Sequence, residues 1–435
     1  MSQRLINKVF TFICASALSV SAFADGGTVN SYTPYSLFAL GNLTDGGTAY
    51  NRSMGGVGIA SRNNKFINIL NPASVTARDS LAFMVDFSVN QENKFYKQDS
   101  RKSAYNIFNI GDCVISFPIY GPSAMMVGII PYSGVGYDFS YSLTDKSTLA
   151  NLGSVSSTYN GTGGIYQCFA AAGVTFFKRF SVGAELMYYF GNIERNFSMV
   201  YSNTAIPSIT EVKNVEVNCF SGKFGVQYEH PIGKNFKLGL GATYKLDNNL
   251  GGYLQNAVTS TTGKIVIDTL KNTPGRLHMP SELGFGISLN YSDKFRAEID
   301  YTRSDWRNSN FETDPFFIMT ESSMPFTTSV SETFRIGLEW VPNKNDIRYY
   351  FKKVAYRAGA YYKKDYFCVA GRNINSYGVT LGATLPIFRW SNGFTIGVDF
   401  GKRGSLSGGL VQENYINISA GVNLFDIWFQ KPKYE

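Results

Sequence analysis

The chain has 435 residues, which suits two or three soluble domains or one large barrel. Charged residues make up 17% of it and aromatics 15%, with 28 Tyr and 34 Phe against 5 Cys and 2 His. The charged fraction lies below the roughly 25% usual for soluble domains, and Tyr and Phe favour strands and membrane interfaces. The formal charge of +8 fits an anionic membrane surface or a solvated face equally well. The sequence points to no nucleic-acid partner, no cofactor and no metal.

Residues 1–24 read as a secretory signal. Arg4 and Lys8 form a positive start, Val9 to Val20 an apolar run that includes Cys14, and Ala22-Phe23-Ala24 a cleavage site before Asp25. No later stretch holds 18 apolar residues in a row, so no transmembrane helix follows. An exported, aromatic-rich chain of this kind is a secreted β-protein or an outer-membrane barrel.

Residues 25–80 never settle into a strand period. Gly46, Gly47, Gly55, Gly56 and Gly58, with Pro34 and Pro72, break helix and strand alike. Leu37, Phe38, Leu40, Ile59, Phe66 and Ile69 nonetheless keep the segment apolar. The two motifs in it are Gly55-Gly56-Val57-Gly58 and Asn71-Pro72-Ala73. The expectation is a plug folded within the barrel, with Asn71-Pro72-Ala73 in a turn near the wall.

From about residue 81 to 425 apolar and polar residues alternate. Phe295, Ala297, Ile299 and Tyr301 interleave with Arg296, Glu298 and Asp300; Phe334, Ile336, Leu338 and Trp340 interleave with Arg335 and Glu339. About fourteen such segments run near 81–92, 103–118, 123–142, 161–178, 180–193, 213–230, 235–247, 282–291, 294–305, 330–342, 350–365, 375–387, 392–402 and 414–425. Short connections follow the second, fourth, sixth, eighth and twelfth, whereas 143–160, 194–212, 248–281 and 306–329 are long. A sandwich has no cause for that parity. A barrel with both chain ends on the periplasmic side requires it. The predicted fold is therefore all-β, an antiparallel transmembrane barrel of about 14 strands with an N-terminal plug in its lumen, followed by a tail over 426–435.

Trp340, Trp390 and Trp428 fall near predicted periplasmic ends and Trp306 at an outer end, as a girdle would have them. Arg296, Glu298, Asp300, Arg335, Glu339, Arg357, Glu185, Lys223 and Asp399 are the inward polar set. They either line a ligand route or pair with one another and with the plug. Within the third strand Pro131, Gly134 and Gly136 interrupt the alternation, and proline cannot donate to a ladder. The interruption reads as a bulge or as a break opening the lumen sideways. Cys113, Cys168, Cys219 and Cys368 show no metal-like spacing, and their pairing stays open. The glycine run lacks the Lys-Ser/Thr of a phosphate loop. His230 and His278 fall at opposite predicted ends, which leaves no shared catalytic triad and no expected enzyme.

A signal, then Gly55-Gly56-Val57-Gly58-Ile59-Ala60, then Asn71-Pro72-Ala73, then about fourteen strands: this order resembles the FadL-type outer-membrane transporters of long-chain fatty acids and other hydrophobic compounds. Tyr35-Ser36-Leu37-Phe38 and the closing Asn423-Leu424-Phe425-Asp426-Ile427-Trp428-Phe429 resemble its versions in Bacteroidetes-like bacteria. The resemblance implies an N-terminal hatch, capture of hydrophobic small molecules or lipids at the outer face, and passive lateral exit into outer-membrane lipid through a kinked third strand. Related barrels in type IX protein export bind secreted proteins, which is the alternative role. The chain departs from many outer-membrane barrels by continuing through Gln430 to Glu435 rather than ending on a strand-terminal aromatic.

Overall fold

The computed structural model describes residues 31–79, 81–143, 153–203, 205–263, 265–271, 276–314, 316–317, 325–387 and 393–427. The signal region, Asp25, Trp390, Trp428 and the tail beyond Ile427 lie outside the described residues.

Fourteen antiparallel strands close into one ring. In chain order they are β1 (Ala82–Gln98), β2 (Arg101–Pro118), β3 (Ser123–Gly134, resumed as Tyr137–Leu143), β4 (Val155–Phe176), β5 (Phe180–Tyr201), β6 (Ile209–Ile232) and β7 (Phe236–Lys245). The second half comprises β8 (Glu282–Tyr291), β9 (Phe295–Asp305), β10 (Val330–Trp340), β11 (Ala355–Val369), β12 (Arg372–Pro386), β13 (Gly393–Arg403) and β14 (Gln412–Ile427). Each strand pairs with its sequence neighbours, and β14 pairs back onto β1 from Ala82–Ile427 to Lys97–Gln412. The β14–β1 ladder closes the ring, so no terminal strand is left unpaired.

The two faces follow the period of two. On β9, Arg296, Glu298 and Asp300 are buried, while Phe295 and Ile299 are exposed on the outside. On β8, Leu283, Phe285, Ile287 and Leu289 form the same apolar outer band. That outer surface is a poor match for water and a good one for hydrocarbon.

The connections at one end are brief, such as 119–122, 177–179, 233–235 and 292–294; that between β10 and β11, 341–354, is longer. At the other end 194–212 proves to be mostly strand, because β5 and β6 extend past the predicted limits as a tall hairpin. Residues 252–260 add a further strand along β6 and fold back through 265–271.

Trp340 is 54% exposed at the end of β10, in girdle position. Trp306 is not: it is 2% exposed and packs 4.6 Å from the ring of Tyr366. The reason is parity, since even-numbered residues of β9 face inward and Trp306 continues that face. With Phe311, Phe316, Phe317 and Phe367 it forms a buried aromatic cluster at the long-connection end of the barrel, with Arg195 over the ring of Phe317 and Lys213 over that of Phe316. The four described cysteines are free thiols. His230 sits beside the β6–β7 turn, and His278 pairs with Asn249 among the long connections.

Candidate functional site

Residues 31–79 run through the ring as short turns and single helical turns, among them Pro34–Leu37, Ala49–Arg52 and Pro72–Thr76. Irregular backbone inside a barrel must find its hydrogen bonds in side chains and in the wall. Asn71 caps the helical turn, its Oδ1 accepting from Ala73 N at 3.0 Å. Its Nδ2 donates to Ile59 O at 2.8 Å and reaches Val226 O on β6 at 3.2 Å. Pro72, at the first helical position, lacks only a donor that would have been orphaned there.

The wall makes room for this turn with inward glycines. A Cβ on Gly225 would overlap Asn71 Oδ1 and come to 2.7 Å from Pro72 Cδ, and one on Gly183 would lie 2.5 Å from Ala73 N. Gly337 and Gly359 accommodate Met54 and Gly55 in the same way. Gly55 and Gly56 have φ of +74° and +78°, the left-handed region that favours glycine. The glycine run is held by one carboxylate: Asp300 Oδ2 accepts from Gly58 N at 2.6 Å and from Ile59 N at 2.9 Å.

The other inward charges also turn to the segment or to one another. Arg296 Nη1 donates to Tyr50 Oη and Ser61 Oγ, both at 3.2 Å, and lies 3.8 Å from Glu298. Arg357 donates from Nε to Glu339 Oε2 at 2.7 Å and from Nη1 to Thr384 Oγ1 at 2.6 Å, with its guanidinium 4.3 Å from the ring of Tyr50. Arg335 bonds Asp45 at 3.1 Å. Glu185 accepts from Gln167 at 3.2 Å, Asp399 from Tyr361 at 3.0 Å, and Lys223 lines a cavity of about 180 Å³. Arg296, Asp300, Arg335 and Arg357, with Glu298 and Glu339 beside them, thus form a network that seats the segment, whereas Glu185, Lys223 and Asp399 stand on the wall around small polar cavities.

The wall is incomplete at β3. Its ladder to β2 runs from Pro118–Ala124 up to Cys113–Ile129 and stops. Above that level β3 stays on β4 through a register shift between Pro131 and Ser133, leaves the ladder at Val135-Gly136, and rejoins β4 at Tyr137. None of the described strands pairs with Arg101 to Asp112 of β2 on the β3 side. The N-terminal segment covers the gap. Asn42–Leu43 pairs antiparallel with Gly134 and Ser133, and Thr33 N donates to Gly136 O at 2.8 Å. Tyr32 spans it: its ring stacks on Tyr105 of β2 at 3.8 Å, and its hydroxyl donates to Asp138 O of β3 at 3.1 Å.

A family model described as BamG matches residues 5–435. The chain belongs to the BamG family. Among solved structures, this BamG-family chain is similar in fold to the Ralstonia pickettii toluene transporter TbuX, at 14% identity and a TM-score of 0.56 over 87% of this chain and 98% of that one. It is also similar to the monoaromatic hydrocarbon channel CymD, at 15% identity and a TM-score of 0.55 over 89% and 98%. A FadL homologue of Pseudomonas aeruginosa follows at 11% identity and 0.50 over 88% and 98%. None of the curated proteins matches the sequence. At these identities the likeness is one of fold.

In this BamG-family barrel, sequence reasoning passed over Tyr32, Asn42, Leu43 and Asp45. Asp45 lies between Lys363 Nζ and Arg335 Nη2, each 3.1 Å away, with its side chain 49% exposed to the lumen. Enclosure in the barrel pushes its carboxyl up, but Lys363 and then Arg335 outweigh this and hold it at about 2, against an ordinary 3.8. A depressed carboxyl stabilises only while ionised, so its contribution is complete above pH 3.8 and is lost as the pH falls through about 2. Pepsin cleavage within 31–79 should therefore rise steeply between about pH 4 and pH 2. Asp45→Asn should be cleaved at an equal rate across that range; an acid-dependent rise retained in the variant would remove Asp45 from the account.

Proposed function

We propose that the protein is an outer-membrane passive transporter of hydrophobic, fatty-acid-like molecules, with residues 25–80 as its plug and the gap at β3 as a lateral exit. The end with brief turns faces the periplasm and the aromatic-capped end faces outward. The observation that carries this reading is the gap between β2 and β3, covered among the described residues by Tyr32 and residues 33–44, with Arg52 on Gly111 O and Asp112 at its lower end. In hydrocarbon each unpaired backbone group costs several kcal/mol, so a wall built this way needs its cover and can open when the cover moves. Tyr32, stacked on Tyr105 and bonded by Tyr96, and Leu43, paired with Ser133, give the upper part of the gap aromatic and apolar contacts along which a hydrophobic molecule can pass.

The test is to tie the cover down. In a background with the native cysteines replaced by Ala, Tyr32→Cys and Tyr105→Cys joined by a short bismaleimide should bring uptake of a radiolabelled fatty acid to background at equal barrel abundance. Undiminished uptake at complete cross-linking would place the route elsewhere. The alternative, a FadL-like barrel that binds a secreted protein in type IX-type export, is favoured by the buried aromatic cluster of Trp306, Phe311 and Phe317 at the outer end. Under that reading uncross-linked cells take up no more probe than cells without the protein.

A further inference from the structure

At the periplasmic end a cavity of about 480 Å³ opens between the turn 63–66 and the connection 341–354, a size typical of small-molecule pockets. It is larger than the two charged lumen cavities of about 180 and 190 Å³. Phe66 and Val341 supply half-buried apolar wall, Phe295, Ile347, Tyr350 and Ile387 its exposed apolar rim, and Lys65, Lys344 and Lys353 its amines.

Its acids are already matched. Glu339 bonds Arg357 at 2.7 Å, Asp293 accepts from Lys344 at 3.2 Å, and Asp346 accepts the turn amides of Arg348 and Tyr349 at 2.9 and 2.7 Å. Lys353 has no carboxylate within 4 Å among the described residues, and its ammonium lies 5.6 Å from the ring of Tyr350. Burial, and then the charge of Lys344, push the Lys65 ammonium down, the condition in which a nearby anion is most welcome. The connection beside the cavity carries Ile347 wholly exposed and Phe351 74% exposed, and Tyr356, whose ring lies 6.0 Å from that of Trp340, donates to Phe351 O at 3.2 Å.

We infer that this cavity is a binding site for a single-chain anionic amphiphile, its acidic head among Lys65, Lys344 and Lys353 and its chain along Phe66, Phe295, Val341 and Ile387. The site does not depend on the lateral route, because it lies at the other end of the barrel and is lined by different residues. A carboxylate head from a fatty acid and a phosphate head from a lysophospholipid share the required chemistry.

The test uses the full mature chain in phosphatidylcholine nanodiscs with a diazirine-bearing dodecanoate. Photolabel should fall on peptides containing 63–66 and 341–354; label confined to peptides of the outer cluster or the β3 gap would overturn the site. Lys344→Glu with Lys353→Glu should weaken dodecanoate binding about a hundredfold or more, the effect of two lost charge-assisted contacts, and leave dodecanol binding unchanged. Equal affinity for dodecanoate and dodecanol in the unaltered protein would overturn the charge assignment. Displacement of the label by dodecanoate but not by lysophosphatidylglycerol would assign a carboxylate ligand, and the reverse a phosphate one. Displacement by neither sinks the proposal.

Discussion

Arg357→Leu should lower the free energy of unfolding by about 3–5 kcal/mol, measured by urea titration of the detergent-solubilised barrel. The Arg357 side chain is fully buried and Glu339 nearly so. Removing the cation takes from the buried Glu339 carboxylate its one bonded cation, leaving Arg296 and Lys65 to act on it only from farther off, and takes away the guanidinium that covers the rings of Tyr50 and Phe66. Because the penalty belongs to the stranded charge, adding Glu339→Leu should restore most of the loss. A cost below about 1 kcal/mol for the single change would place this pair with exposed ion pairs of little weight.

Gly225→Leu should unseat the N-terminal segment and make the barrel leak ions. The added side chain occupies the place of Asn71 Oδ1 and Pro72, and neither can yield, since Asn71 is fully buried and bonded to the segment and the wall at once. The outward half of β6 is untouched, so the ring itself still closes. Planar-bilayer recordings should show near-silence for the unaltered protein and sustained conductance for the variant. The control is Gly222→Ala on the same strand, where the nearest atom is the tip of Leu246 at 3.2 Å. A silent Gly225→Leu channel would mean that residues 31–79 do not obstruct the lumen.

Much of the ring was legible because a barrel writes its geometry in a period of two and in the alternation of connection lengths. Each of the fourteen segments corresponds to one strand, and the inward set on β9 and β10 was read from alternation alone. Trp306 was misplaced for an instructive reason: its position at a strand end was weighed, but its even number on β9 was not. The spacing places a long connection over 194–212, but Glu194, Arg195 and Asn196 pair with Asn214, Lys213 and Val212, so β5 and β6 continue as a hairpin through it. Irregular segments have no period to read. Nothing in Tyr32 or Asn42–Leu43 announces that they complete a wall ninety residues further along. One signal was available and unused: the glycines on the inward face, such as Gly183, Gly225, Gly337 and Gly359, mark where another backbone approaches.

Those glycines also decide which alignment of the strands can close. If β6 slid by one residue against its neighbours, Phe224 or Val226 would turn inward where Gly225 stands, against Asn71 and Pro72. A slide of two would bring Lys223 or Gln227 to the same place. Each alternative puts a side chain into space that the turn already fills, and strips Asn71 of its bond to Val226 O. The Asn71-Pro72-Ala73 turn is therefore a template as well as an occupant: it admits one register of the surrounding sheet and rejects its near neighbours, a form of selection that alternating apolar strands, so alike on their outer faces, could not supply for themselves.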